Sequence, residues 1–279
     1  MGMLTGAAKV AGVIGWPVSH SRSPAIHGYW LLRYGIDGVY VPFPVRPGDV
    51  YDVIRMLPRL GLAGANITLP HKETVLCAVD QVDPLARRIG AVNTIVTEMD
   101  GSLHGSNTDA YGFREHLRAA APGWRPGKAV VLGAGGSARA VVAALVDAGA
   151  SEVRLANRTA ARAERVVDDI GGPVTAIAWD EREAALDGAG LLVNATSLGM
   201  DGGPPLEIAL DALPAGAVVN DIVYTPLETP LLAAARRHGL TAVDGLGMLL
   251  HQARPGFAAW FGADPAVDEA LRAHVLAGL

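Results

Sequence analysis

The chain alternates short apolar runs with segments whose apolar residues recur every three or four positions. Val10 to Ile14 is a run of the first kind, ended by Gly15-Trp16-Pro17, and predicts a buried strand feeding a loop. Ile26, Tyr29, Trp30 and Tyr34 mark one helix face, with Ser23 as N-cap, Pro24 in the first position and Gly35 as the stop. Val39 to Phe43 is extended, and Val50, Val53, Ile54 and Leu57 predict an amphipathic helix closed by Pro58. Ala63 to Thr68 reads as a strand, followed by a helical stretch from about His71. Asp83-Pro84 opens a short helix ending at Gly90, Ala91 to Thr97 is a strand, and Asp100-Gly101 turns it into Leu103-Gly105. Such alternation implies a mostly parallel sheet.

Near residue 109 the pattern starts afresh. A helix from about Asp109 to Ala121 and a Pro/Gly-rich segment lead to strand Ala129 to Leu132. Helix 137–148, strand 152–156, helix 159–169 and strands 174–178 and 190–194 follow. Ala217 to Asn220 and Leu240 to Val243 are further strands, separated by a helix capped by Thr229-Pro230. Repeated βα units of this length indicate a doubly wound, Rossmann-type domain. The remainder, Gly245 to Leu279, is helical and belongs to no further unit. The reading is therefore an α/β protein of two domains: 1–108 with 245–279, the late helices returning to the first domain, and 109–244 for the nucleotide.

Composition narrows the function. With 50% hydrophobic and 18% charged residues the chain can build two buried cores. A net charge of −5 supplies no positive field for nucleic acid. No apolar run approaches the roughly 20 residues that cross a bilayer, and Met1 to Gly6 lacks the basic flank and apolar core of a signal peptide. A cytoplasmic location follows as the expectation. Cys77, the single cysteine, reads as a buried structural thiol, and the histidines show no zinc-ligand spacing, so no metal is expected.

Val130-Val131-Leu132-Gly133-Ala134-Gly135-Gly136-Ser137-Ala138 joins a strand directly to a helix. Gly133 permits the tight turn, Gly135 lets the backbone approach a pyrophosphate, and Ala138 is small enough for close helix–sheet packing. About 20 residues on, where NAD-binding domains carry an acidic residue for the ribose, the chain reads Ala156-Asn157-Arg158-Thr159, with Arg162 one turn later. An amide, a hydroxyl and two guanidinium groups suit a 2′-phosphate, and helix N-termini otherwise disfavour cations, so NADP is the expected cofactor.

Polar segments fall at the strand ends of the first domain: Ser19-His20-Ser21-Arg22-Ser23-Pro24, Asn66-Ile67-Thr68-Leu69-Pro70-His71-Lys72 and Gly105-Ser106-Asn107-Thr108-Asp109. Taken singly, each has a bland reading as caps, surface lysine or strand-end amides. Their order carries more. Together with Gly90-Ala91-Val92-Asn93-Thr94, Asn194-Ala195-Thr196-Ser197, Asp221-Ile222-Val223-Tyr224, Gly245-Leu246-Gly247-Met248 and Gln252, the chain resembles the shikimate dehydrogenase family over essentially its whole length. Ile67, where the family often has Val, is the one small departure.

The resemblance implies reduction of 3-dehydroshikimate to shikimate by NADPH, in chorismate and aromatic amino-acid biosynthesis. It implies that Ser21 and Ser23 hold the substrate carboxylate, that Thr68, Asn93, Asp109 and Gln252 bind its hydroxyls, and that Lys72 stands beside the reacting oxygen, paired with Asp109. Asn157, Arg158, Thr159 and Arg162 would take the adenosine phosphate. Thr196, Tyr224, Gly245 and Met248 would border the nicotinamide side, with Tyr224 also touching substrate. Lys72 and Asp109 are thus the expected catalytic pair, since hydride arriving at a carbonyl requires a proton donor and a cation at the oxygen. A quinate/shikimate dehydrogenase using NAD, and a non-catalytic ligand sensor on the same fold, are the rival readings. The expected partner is a small molecule, and the protein a monomer or homodimer.

Overall fold

The computed structural model describes residues 4–278, so Met1 to Met3 and Leu279, at the outer limits of the expected first domain, lie outside it. The chain divides into two compact units, one ending at Thr108 and resuming at Leu250, the other running from Asp109 to Leu249.

In the first unit the order is β1 (Lys9–Gly15), α1 (Ser23–Arg33), β2 (Gly38–Pro44), α2 (Val50–Met56), β3 (Leu62–Ile67), β4 (Gln81–Val82), α3 (Pro84–Ile89), β5 (Thr94–Thr97) and β6 (Leu103–Ser106). The sheet order is β2-β1-β3-β5-β6-β4. It departs from the mostly parallel expectation: β5 runs antiparallel to both β3 and β6. The Asp100-Gly101 turn, where Asp100 accepts Ser102 N at 2.8 Å, closes the β5–β6 hairpin, while the antiparallel β3–β5 pair joins strands distant in the chain. The helical stretch expected from His71 is only a 3₁₀ turn, Thr74–Cys77. Cys77 lies on its open side and is exposed, not buried, its thiol donating to Thr74 O. Ser23 is not the N-cap of α1 but its first residue; Arg22 occupies the cap. Thus Ser23 Oγ is not engaged in capping.

The second unit holds α4 (Asp109–Ala120), β7 (Lys128–Leu132), α5 (Gly136–Asp147), β8 (Glu152–Ala156), α6 (Ala160–Ile170), β9 (Val174–Ile177), β10 (Leu191–Asn194), β11 (Val218–Asp221), α7 (Pro230–Arg237) and β12 (Thr241–Val243). All its strands are parallel, in the order β12-β11-β10-β7-β8-β9. The order reverses between β7 and β10, the point where such sheets open a crevice at their carboxyl ends. Both sheet faces are covered, which is why Val130, Val131 and Leu132 form a continuous apolar run, all fully buried.

Helix α8 (Leu246–Phe261) carries the chain across the second boundary, and α9 (Glu269–Leu276) follows. Within the first unit, Phe257 and Trp260 of α8 pack on Trp30 and Tyr40, and Trp260 Nε1 donates to Ile95 O at 3.0 Å. These late residues therefore supply core to a sheet built from the first hundred.

Candidate active site

In the first unit β1 and β3 are neighbours, so the loops leaving their carboxyl ends lie together. Thr68 N donates to Ile14 O at 2.9 Å and Trp16 N to Leu69 O at 3.0 Å. The first loop carries Ser21, whose Oγ accepts Ser23 N at 3.3 Å; Ser23 is buried and Ser21 half-buried. The second carries half-buried Thr68 and Lys72. Lys72 is held from both sides. Its carbonyl accepts Val92 N at 2.8 Å, while buried His71 before it donates Nε2–H to Val45 O at 2.8 Å.

Asn93, two per cent exposed, lies at the centre of a buried polar cluster. Its Oδ1 accepts Thr108 N at 2.7 Å, Thr108 Oγ1 at 3.1 Å and Thr94 Oγ1 at 3.0 Å. With that oxygen filled, Nδ2 turns to Gln252 Oε1 at 3.4 Å. Gln252, from α8, thus meets Asn93. Burying such groups is tolerated because each finds a partner. Asp109 directly follows Thr108 and opens α4, the end of a helix where negative charge is stabilised. Lys72 belongs to the first unit and Asp109 to the second.

In the second unit the carboxyl ends of β7, β10 and β11 are laced together. Gly133 (φ +105°) is left-handed, and a Cβ there would lie 2.8 Å from Ala195 O, so the turn admits only glycine. Asn194 Oδ1 accepts Thr196 N and Oγ1 at 3.1 and 2.7 Å, and its Nδ2 donates to Asp221 Oδ1 at 2.9 Å. Asp221 also accepts Val223 N at 3.0 Å and Thr229 Oγ1 at 2.7 Å, which sets the course of the chain to half-buried Tyr224. Burial pushes the Asp221 carboxyl up to about 6 against these three donors. Gly245 and Met248 are buried at the start of α8.

The residues fit a dinucleotide. Gly135 caps α5 with nothing among the described residues within 4 Å of where its Cβ would stand, leaving the helix N-terminus open to an anion. Gly136 and Ser137 begin that helix beside Ala134, and Ala138 is fully buried beneath it. Asn157 Nδ2 donates to Thr159 O at 2.9 Å, shaping the turn after β8 so that Arg158, Thr159 and Arg162 are exposed together. Among the described residues no cluster of acidic, histidine or cysteine side chains could hold a metal ion, and no helix is long and apolar enough to cross a membrane.

Two family models match: the shikimate dehydrogenase substrate binding domain over residues 13–95 and shikimate / quinate 5-dehydrogenase over residues 116–199. The chain belongs to the shikimate dehydrogenase family. The NADP(+) shikimate dehydrogenase of Paramagnetospirillum magneticum is 61% identical across 98% of this chain and 100% of that protein. Among solved structures, the shikimate 5-dehydrogenase of Thermus thermophilus with NADP(H) and shikimate superposes at a TM-score of 0.85, with 37% identity over 97% of this chain and 100% of that one. The quinate dehydrogenase of Corynebacterium glutamicum with NAD superposes at 0.91, with 33% identity over 97% of this chain and 99% of that one.

Several residues that the sequence offers only as parts of motifs or as caps are hydrogen-bonded here to the candidate site residues. Thr108 and Thr94 orient Asn93, while Asn194, Asp221 and Thr229 knit the second unit's strand ends. Each is a small polar residue ending an apolar strand or starting a helix, a position that signals a cap as readily as a network.

Proposed function

We propose that this protein is an NADP-dependent shikimate dehydrogenase that reversibly reduces 3-dehydroshikimate to shikimate. The observation that carries the substrate class is the buried Asn93–Thr108–Gln252 cluster, a surface of neutral amide and hydroxyl groups suited to a hydroxylated ring. Ser21 and Ser23 offer hydroxyls for the carboxylate, and Thr68, Tyr224 and Gln252 complete the contacts to the ring. The relatives named for this activity, 53–61% identical to the chain, support the same reading.

NADPH, when bound, supplies the hydride that reduces the ketone. Lys72 donates a proton to the carbonyl oxygen as charge develops there, is left neutral, and regains its proton from solvent; Asp109 orients the ammonium. The Asn157-Arg158-Thr159 turn and Arg162 would hold the 2′-phosphate by charge-assisted hydrogen bonds. Gly133 to Ala138 would hold the pyrophosphate, and Thr196, Gly245 and Met248 the nicotinamide. The reading carries with it a cytoplasmic enzyme, monomeric or homodimeric.

The structural likeness to a quinate dehydrogenase with NAD gives the second reading its footing. Arg158, where an acidic residue would favour NAD, speaks against it, and retention of Lys72 beside a proton-transfer site speaks against a sensor. Nicotinamide absorbance with shikimate and quinate, each with NADP and NAD, separates the three. Turnover confined to shikimate with NADP supports the proposal, NAD-linked quinate turnover replaces it, and no turnover with any pair removes the enzyme.

A further inference from the structure

Arg46, just past the carboxyl end of β2, carries its charge over a ring and not beside a carboxylate. Arg33, Arg55 and Arg254 of the same unit each pair with an aspartate. Arg46 makes no ion pair among the described residues, and Asp49, the nearest carboxylate in sequence, meets it through backbone alone, Asp49 N donating to Arg46 O at 3.0 Å. The guanidinium stands instead over the exposed Trp16 ring, 5.6 Å from its centroid. A ring face attracts a cation without neutralising it. Backbone bonds bring this pair to the substrate loops. Val45 N donates to Gly15 O at 3.1 Å, and the Val45 carbonyl accepts His71 Nε2–H at 2.8 Å. The residue before Arg46 is thus bonded to the residue before Trp16 and to the residue before Lys72. Trp16 also begins the loop to Ser21. Its lead to Val18 spans at most roughly 7 Å, and the turn closed by Ser21 N on Val18 O, at 3.0 Å, covers less than about 7 Å more. Ser21 therefore lies within roughly 14 Å of Trp16. Charges act over about 30 Å at 10 mM salt and about 3 Å at 1 M. A carboxylate arriving at Ser21 and Ser23 feels Arg46 in dilute buffer and not in strong salt.

We infer that Arg46, held over Trp16, is a specificity-determining residue whose charge guides the substrate's carboxylate to the Ser21–Ser23 loop without touching the reacting atoms. This rests on the reading that the protein is a shikimate dehydrogenase whose Ser21 and Ser23 receive that carboxylate. The chain as a whole carries −5 and repels an anion, so a local cation at the loops decides whether one is drawn in. Trp16 limits the rotamers over which the long side chain would otherwise spread its charge. A charge so placed changes how often the anion is captured, so it acts on kcat/KM and leaves kcat alone.

The test is kcat/KM for shikimate at saturating NADP, from about 10 mM to about 1 M KCl, for the parent, Arg46→Lys, Arg46→Gln and Arg46→Glu. At roughly 14 Å and low salt, one unit of charge predicts about a twofold change. Arg46→Lys should match the parent, Arg46→Gln should lose about twofold and Arg46→Glu about fourfold. In the strongest salt all should converge, with kcat unchanged throughout. Equal losses by Arg46→Gln and Arg46→Glu that persist in strong salt would mean that Arg46 matters only as packing for Trp16, which overturns the guide. Equal values for every variant in dilute buffer overturn it as well. Turnover of shikimate by the parent without this charge ladder leaves the enzyme standing and removes the guide, whereas no turnover by the parent removes both. Should Arg46→Glu not fold, Arg46→Lys against Arg46→Gln decides: the guide requires a difference that salt abolishes, and equal values overturn it.

Discussion

Thr229 Oγ1 donates to Asp221 Oδ2 at 2.7 Å while accepting Leu232 N–H at 3.3 Å, so one hydroxyl both closes the shell of a buried carboxylate and caps α7. Burial nonetheless dominates at Asp221, whose carboxyl is pushed up to about 6. The folded protein holds this proton more tightly than the unfolded chain does. Stability therefore falls as pH rises from about 4 to 6, and above that the buried anion costs on the order of 2–3 kcal/mol. Asp221→Asn keeps the shape and one acceptor oxygen but carries no charge. In urea unfolding, the variant should gain on the parent by on the order of 2 kcal/mol between about pH 4 and pH 7.5. A difference that does not change with pH would rule out a buried, ionising Asp221.

Lys72→Ala should lower kcat by roughly 10²–10⁴ while moving the substrate KM much less, because the lost group acts on charge present only in the transition state. Turnover near that of the parent would remove Lys72 from the chemistry. Ser21→Ala, by contrast, should mainly raise the shikimate KM, and an unchanged KM would end the assignment of Ser21 to the carboxylate.

Arg158 tests the cofactor independently of substrate. Its exposed guanidinium makes no ion pair among the described residues, so its removal disturbs little else. Arg158→Ala should weaken NADPH binding by about 1.5–3 kcal/mol, roughly 10- to 150-fold, and hardly alter NADH. Titrating both cofactors by fluorescence checks this. Equal losses for the two would mean that the side chain supports the turn or the adenine instead.

Gly247 lies against the His116 ring, whose Nε2–H donates to Asp244 O at 2.7 Å and which therefore cannot easily swing away. A Cβ at Gly247 would stand 2.0 Å from His116 Nδ1. Gly247→Ala should destabilise the protein by about 1–3 kcal/mol through overpacking at the turn bearing Gly245 and Met248. Adding His116→Ala should return part of that stability in thermal unfolding. Strictly additive losses would show that the ring steps aside.

Much of the fold was legible because apolar periodicity and strand-to-helix glycine turns are local signals. The second unit, with its parallel strands buried on both faces, follows the pattern almost residue by residue. What was not legible depends on contacts distant in sequence. The antiparallel β5 followed from pairing that periodicity does not encode, and the residues after His71 take their path from Val45 and Val92 and so never complete a helix. Cys77 is on the outward side of a turn whose Val75 and Ala78 enter the core. In the site, Asn93 and Gln252 were nameable from family motifs, but the bond between them spans 159 residues and neither signals it alone. Asn194 and Asp221 read as strand-end polar residues until their mutual bond is seen.

The packing of Trp260 against Ile95 has a consequence for the order in which a ribosome can finish this molecule. The second unit is contiguous in sequence and has all its strands once Val243 is made. The first unit, although begun earlier, lacks Phe257, Trp260 and α9 until the whole second unit has been made. Its sheet must wait with the aromatic face of Trp30 and Tyr40 uncovered, so vectorial synthesis makes the earlier-born unit the later to close.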